Sequence, residues 1–286
     1  MLKIIITGAA GRMGRRLVAN IAADPELELA GATERPDCSL IGADAGEVAG
    51  VGNLGVKIVS SLEEAFANGA DAIIDFSTGC VVENARTAAG KGAAVVIGTT
   101  ALTAEQKADL HQLADEGARI VQTYNYSVGV NLLFYLSGIA ASILNDDFDI
   151  EVIEAHHNQK KDAPSGTAAR LAEILCEKRG LDVNQDVKHG REGIVGARTK
   201  KEIGMHAVRG GDIVGDHTVM FAALGERVEL THKASSRDTF AKGALRAAKF
   251  LANANAGYYD MQGPRSEMTG GIPRSIRGTG AAPRGR

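Results

Sequence analysis

The chain has 286 residues, of which 44% are hydrophobic and only 4% aromatic, with no Trp and a net charge of −3. That length exceeds one ordinary domain and suits two, each with an aliphatic core. The charge lacks the basic excess of a nucleic-acid binder, no run of 18 apolar residues suggests a membrane span, and Cys38, Cys80 and Cys176 make neither a CxxC pair nor a zinc spacing; a reducing cytoplasm is expected.

Leu2 to Thr7 is a β-branched apolar run directly after Met1, which leaves no room for a secretory signal. Arg12 to Ala23 sets Met13, Leu17 and Ile21 on one helical face, and Leu27 to Thr33 reads as a second strand. Ser61 caps a helix reaching Phe66, Ala70 to Phe76 is a buried strand, and Val82 to Lys91 a helix. Ala93 to Ile97 is a strand, Thr103 to Glu116 a capped helix, and Arg119 to Gln122 a strand. Such alternation predicts an α/β domain over residues 1–128, a Rossmann-type doubly wound parallel sheet.

The pattern then changes. Asn131 to Leu144 is one apolar helix, Asp149 to Ala155 a strand and Ser165 to Lys178 a helix. From Ile203 to Lys233 only strand patterns occur, with Leu224-Gly225-Glu226 turning a hairpin. Residues 129–235 are therefore expected to form an α+β domain with an open mixed sheet. Ser236 is expected to cap a last helix that returns to the first domain within residues 236–261. Residues 262–286 are rich in Arg, Gly and Pro, bury little, and are expected to form a disordered tail.

Gly8-Ala9-Ala10-Gly11-Arg12-Met13-Gly14 follows the first strand and opens the first helix. A turn this tight needs residues without Cβ, and the helix start offers N–H groups to a pyrophosphate. The spacing is GxxGxxG rather than the common GxGxxG. Glu34 ends the second strand, where an acid binds adenosine ribose hydroxyls, and Arg35 beside it suits a 2′-phosphate. The cofactor expected is NADH, NADPH or both, although Glu34 and Arg35 read equally well as surface charges. Gly98, Thr99 and Thr100, and Thr123, Tyr124, Asn125 and Tyr126, follow two further strands where a nicotinamide is edged; plain turn chemistry is the competing reading.

The densest polar cluster runs from Glu154 to Thr167. Ser165 reads as a helix N-cap, which leaves the N–H groups of Gly166 and Thr167 for a carboxylate or a phosphate. His156 and Lys160 are placed to deliver a proton, and His157 adds positive charge. The paired histidines lack a third ligand at a suitable spacing, so no metal is expected. Arg237, near the last helix start, suits a second carboxylate, or is a surface arginine.

These segments closely resemble the 4-hydroxy-tetrahydrodipicolinate reductase (dihydrodipicolinate reductase) family. The resemblance runs from about Leu2 to Met261. It rests on Gly8 to Gly14, Asp75-Phe76-Ser77, Gly98 to Thr100, Asn125 to Asn131, Glu154 to Thr167, Gly210 to His217 and Thr231 to Arg237. It implies reduction of a small dicarboxylate, 4-hydroxy-tetrahydrodipicolinate, in lysine and diaminopimelate biosynthesis, with hydride from NADH or NADPH and loss of water. His156 is then the acid–base residue and Lys160 the proton donor. His157, Gly166 and Thr167 hold the carboxylates, and Gly8 to Met13, Glu34, Gly98 to Thr100 and Thr123 to Tyr126 bind the cofactor. A homotetramer joined through the second-domain sheet is also implied, with neither nucleic acid nor membrane as a partner. The loop before the family's Asn-Phe-Ser reads Gln122-Thr-Tyr-Asn-Tyr-Ser127 here, and larger side chains there are expected to alter cofactor preference.

Overall fold

The computed structural model describes residues 1–77, 79–100, 102–261 and 263–264, the last two as backbone alone. The chain forms two units, one from Met1–Val128 with the segment from Asp238 onward, the other from Gly129–Arg237.

The first unit begins with β1 (Leu2–Thr7), α1 (Arg12–Ala22) and β2 (Leu27–Thr33), followed by α2 (Ala45–Ala49), β3 (Ile58–Val59) and α3 (Leu62–Ala65). β4 (Ala72–Asp75), α4 (Val81–Gly90), β5 (Ala94–Ile97), α5 (Ala104–Asp115) and β6 (Arg119–Gln122) follow. The second unit holds α6 (Val128–Leu144, from the last residue of the first), β7 (Asp149–His156), α7 (Gly166–Arg179), α8 (Val183–Asp186) and β8 (Val187–His189). β9 (Ile203–Arg209), β10 (Gly215–Ala223) and β11 (Glu226–Ala234) complete it. The chain then re-enters the first unit with α9 (Asp238–Leu251), β12 (Gly257–Asp260) and β13 (Gly263–Pro264).

The first sheet runs β13-β12-β6-β5-β4-β1-β2-β3 and is parallel except for β13. Its strands are β-branched and buried on both faces, as parallel sheets require. Alternation divides them: Ile4, Ile6, Ile74 and Val96 pack with Leu17, Val18, Ala244 and Leu251 of α1 and α9. Ile5, Ile73, Val95 and Ile97 pack with Leu62, Ala85 and Leu110 of α3, α4 and α5. Helices thus cover both faces, the doubly wound Rossmann-type arrangement expected. β1 lies between β4 and β2, so strand order reverses at its carboxyl end, the place where such sheets bind ligands.

Several elements were not foreseen. α2, β3, α8 and β8 are too short to carry periodicity. β12, a Gly-Tyr-Tyr-Asp run, extends the sheet beyond β6. The segment expected as a disordered tail lies outside the described residues, except that Gly263 and Pro264 pair with β12. α9 starts at Asp238, one residue later than a Ser236 cap implies.

The second sheet, β11-β10-β7-β9-β8, is mixed: β7 is parallel to β9 and antiparallel to β10. The β10–β11 hairpin pairs Ala223 with Glu226 around Leu224-Gly225, Gly225 taking φ of +93°. Val152, Met205, Val219 and Phe221 pack against α6 and α7 through Leu133, Phe134, Leu171 and Leu175. Val128–Asp147 is, among the described residues, the one helix long and apolar enough by composition to cross a membrane. Asn131, Ser137 and Ser142 interrupt its apolar run. Its buried stripe of Val130, Leu133, Phe134 and Ala141 belongs to this unit's core, which is the role of an apolar helix in a globular domain.

Candidate active site

In the first unit, β1 ends at Thr7 and the chain turns at Gly8, with φ of +73°. The N–H groups of Gly8 and Ala9 both donate to the Thr33 carbonyl, 2.9 and 3.0 Å away, tying the turn to β2. Gly14 lies against this turn, and any Cβ there would run into the Gly8 carbonyl oxygen and the Ala9 backbone. The third glycine therefore lets α1 approach the loop. Gly11 caps α1 with extended backbone and no side-chain acceptor, and the first turn holds no acid. Arg12 is exposed and Met13 half-buried. This uncapped, acid-free helix start favours an anion, so the residues fit a dinucleotide pyrophosphate.

The loop after β4 meets the same turn, and the loop after β5 packs on the loop after β4. Phe76 lies beside Gly8, 3.4 Å from where a Cβ would stand. Asp75, fully buried, accepts from the Ser77 N–H and hydroxyl at 2.7 and 2.6 Å and from Asn84 Nδ2 at 2.8 Å. The Thr99 hydroxyl donates to the Ser77 carbonyl at 2.6 Å, and the Phe76 ring fills the space a side chain at Gly98 would need. Thr100 is exposed. Glu34, half-buried, follows β2, and Arg35 is exposed with its guanidinium 3.6 Å from Asp37.

After β6, Thr123 is buried and Tyr124 and Asn125 are half-buried. The Asn125 side chain accepts from Ser127 N–H at 2.8 Å, and Lys107 lies 5.8 Å from the Tyr124 ring centre. Tyr126 turns inward. Its hydroxyl donates to the Ile97 and Val121 carbonyls at 2.8 and 3.1 Å, with desolvation as the largest cause holding it un-ionised. The expectation that Tyr126 faces a cofactor is corrected for its side chain, which bridges the ends of β5 and β6.

The second unit gathers a different set. On β7, alternation puts Glu154 and His156 on the inner face, opposite His217 of β10 and beside Arg209 of β9. Glu154 is completely buried and receives four donors. His156 Nδ1 stands 2.6 Å from Oε2; Arg209 reaches both oxygens at 2.8 Å; Ser165 N–H donates to Oε1 at 3.0 Å. Burial alone would raise the Glu154 carboxyl, but the His156 and Arg209 bonds outweigh it and hold it down to about 2.

Ser165 caps α7: its hydroxyl accepts from Ala168 N–H at 3.2 Å and lies 3.0 Å from His217 Nε2. The cap takes the third helical N–H, not those of Gly166 and Thr167. Burial first, then the nearby His156 charge, pushes His217 down to about 3, and Lys160 adds in the same direction. His156 and Lys160 thus both lie near His217. Lys160 ammonium stands 2.9 Å from the Asp162 carboxylate, and His157 is half-buried where β7 gives way to the loop. Arg237 is half-buried immediately before α9.

Sequence reasoning missed Glu154 as a functional partner, together with Arg209 and His217. The period of two along β7 already put Glu154 with His156; the pairing register that brings in Arg209 and His217 is a tertiary fact. Among the described residues no group of His, Cys, Asp and Glu is arranged to hold a metal ion. Cys176 is buried in α7, where desolvation pushes its thiol up to about 11, so it is no nucleophile.

Comparison with known proteins covers nearly the whole chain. The family described as Dihydrodipicolinate reductase, N-terminus, matches residues 2–126, and Dihydrodipicolinate reductase, C-terminus, residues 129–263. A 4-hydroxy-tetrahydrodipicolinate reductase of Hahella chejuensis is 50% identical over 263 residues, 92% of this chain and 98% of that protein. One from Geobacter metallireducens is 48% identical with the same coverage. The dipicolinate-bound dihydrodipicolinate reductase of Paenisporosarcina sp. TG-14 superposes with a TM-score of 0.72 at 24% identity, covering 91% of this chain and 97% of that one.

Proposed function

The chain belongs to the dihydrodipicolinate reductase family, and from that premise we propose how its residues carry out the reaction. It is a 4-hydroxy-tetrahydrodipicolinate reductase, a pyridine-nucleotide-dependent oxidoreductase of lysine and diaminopimelate biosynthesis. A bound nicotinamide cofactor supplies the hydride. The ring hydroxyl of the substrate leaves as water with one added proton, so hydride and proton in balance tetrahydrodipicolinate and water out.

Gly8, Ala9, Ala10, Gly11, Arg12 and Met13 hold the pyrophosphate, and Glu34 holds the adenosine ribose. Arg35 accommodates a 2′-phosphate, so both NADH and NADPH serve. Gly98, Thr99, Thr100, Thr123, Tyr124 and Asn125, with the Tyr126 backbone, edge the nicotinamide. The Gly166 and Thr167 N–H groups, His157 and Arg237 bind the substrate carboxylates, with Ser165 setting the helix start. Lys160 donates the proton and His156 acts as the acid–base group. We assign homotetramer contacts to the outer face of the second sheet, where Ile153 and Val208 are exposed, and place the enzyme in the cytoplasm.

The reading rests most on one observation: a histidine locked to a buried carboxylate beside the N-terminus of a capped helix. His156→Ala and Lys160→Ala are expected to lower kcat by about 10²- to 10⁴-fold while leaving nucleotide affinity unchanged. The test uses substrate generated in place by the preceding synthase, with NADH and NADPH absorbance followed side by side. Full turnover in both variants would remove the assignment.

A further inference from the structure

We propose that Glu154 is a positioning residue for this reaction: one buried carboxylate fixes the His156 imidazole in the tautomer with hydrogen on Nδ1 and a bare Nε2, and through Ser165 sets where α7 begins relative to that ring. The inference rests on the assignment of His156 as the acid–base group.

An ionised carboxylate is an acceptor only. His156 Nδ1 stands 2.6 Å from Glu154 Oε2, so Nδ1 carries the hydrogen. Nε2 is then the atom that takes or gives a proton. Gly215 leaves room for it: a Cβ there would lie 3.1 Å from Nε2, tighter than side chains ordinarily pack. The same carboxylate accepts the Ser165 N–H, the residue before the helical N–H groups assigned to the substrate. One side chain therefore fixes the orientation of the proton-handling atom and the place of the anion-binding atoms.

Arg209 divides the carboxylate's charge. Its fork occupies both oxygens, and Nη2 also donates to the Asp162 carbonyl at 2.8 Å, tying down the loop that bears Lys160. The charged and titratable groups around His156 and its neighbour His217 are Glu154 on β7, Arg209 on β9, His232 on β11, and Lys160 and Asp162 in the loop. His217 meets the His156 ring edge-on, with centres 5.2 Å apart. Of these, Glu154 and Arg209 act on the His156 ring with opposite sign.

Two variants exploit that opposition. In Glu154→Gln the amide NH₂ is best turned toward His156: Arg209 donates to both positions, and of the two remaining partners only the imidazole nitrogen can become an acceptor, whereas the Ser165 N–H cannot. Nδ1 must then accept, and the hydrogen moves to Nε2. In Arg209→Met the anion stays and is less compensated. The readout is the long-range ¹⁵N spectrum of imidazole-labelled enzyme, together with the pH profile of kcat. Wild type and Arg209→Met are expected to show the Nδ1–H tautomer, and Glu154→Gln the Nε2–H tautomer. The limb of the kcat profile moves to lower pH in Glu154→Gln and to higher pH in Arg209→Met. Glu154→Gln is expected to lower kcat about 100-fold, as a misplaced tautomer does in other acid–base enzymes, with the KM for nucleotide unchanged.

An unchanged tautomer in Glu154→Gln, or limbs that move the same way in both variants, would overturn the proposal. Should Glu154→Gln fail to fold, the tautomer and limb of Arg209→Met decide alone. The spectrum is read without substrate, so it reports on Glu154 even if His156→Ala proves active and the acid–base assignment falls.

Discussion

At the scale of single residues, His217 makes a prediction whose sign can be worked out. Its native value of about 3 lies below the ordinary 6.5, so between those values the unfolded chain binds a proton that the native protein does not. Stability therefore falls as pH drops below about 6.5. Glu154 works in a lower window: depressed to about 2 from 4.5, its contribution is present above 4.5 and is lost as pH falls toward 2. At about pH 5 His217 outweighs Glu154, and its gap of about 1.5 units corresponds to about 2 kcal/mol; His232, also lowered by burial, adds in the same direction. His217→Gln, which keeps a donor for Ser165, is expected to recover much of that loss. Urea unfolding at about pH 7.5 and pH 5 checks it: equal pH sensitivity in both proteins would refute the account. The sequence made His156 and Lys160 visible because the residue types and the loop setting sufficed. It did not make His217 visible, since that residue joins the site only through its register with Glu154.

At the scale of elements, the close contact between α1 and its preceding turn carries the cofactor site. Gly14→Ala would force a methyl against the backbone of Gly8 and Ala9, atoms that cannot rotate away. A loss of about 1–3 kcal/mol in stability is expected from such overpacking, with nucleotide binding weakened by about tenfold or more as the N–H groups shift. Thermal unfolding and calorimetric titration with NADH measure the two effects, and unaltered affinity would show that the helix start does not hold the pyrophosphate. Long elements were legible because each carries its own period: β1, α1, β2 and the Thr103 capping box before α5 stand where the sequence put them. β12 was not legible because Gly257-Tyr258-Tyr259-Asp260 reads as a strand only when β6 offers an edge. α9 was visible as a helix, but not its ties to α1 and the turn after it, Arg16 to Asp238 at 2.6 Å and Lys249 to Asp24 and Glu26 at 2.8 and 2.6 Å.

For the whole molecule, the outer face of the second sheet is the surface assigned to assembly. Ile153 and Val208 stand 37% and 48% exposed there, on neighbouring strands. Ile153→Glu is expected to shift sedimentation from tetramer toward smaller species while leaving the monomer fold intact by circular dichroism. A single species of unchanged size would move the contact elsewhere. Fold class was readable from the switch between strand–helix alternation and a run of strands near Val128, because that change reflects two kinds of sheet. The order of strands was not, since β12 and β13 reach the first sheet only after the whole second unit has intervened.

That return of the chain has a consequence for how the protein is made. The second unit is one unbroken stretch, Gly129–Arg237, whereas the first needs pieces from both sides of it. During translation the inserted unit has all its strands outside the ribosome while its host still lacks α9 and β12. The edge of β6 and the apolar surface that α9 covers wait uncovered through more than a hundred codons. The part begun first is thus the part completed last, and the nascent chain passes through its period of greatest aggregation hazard just before release.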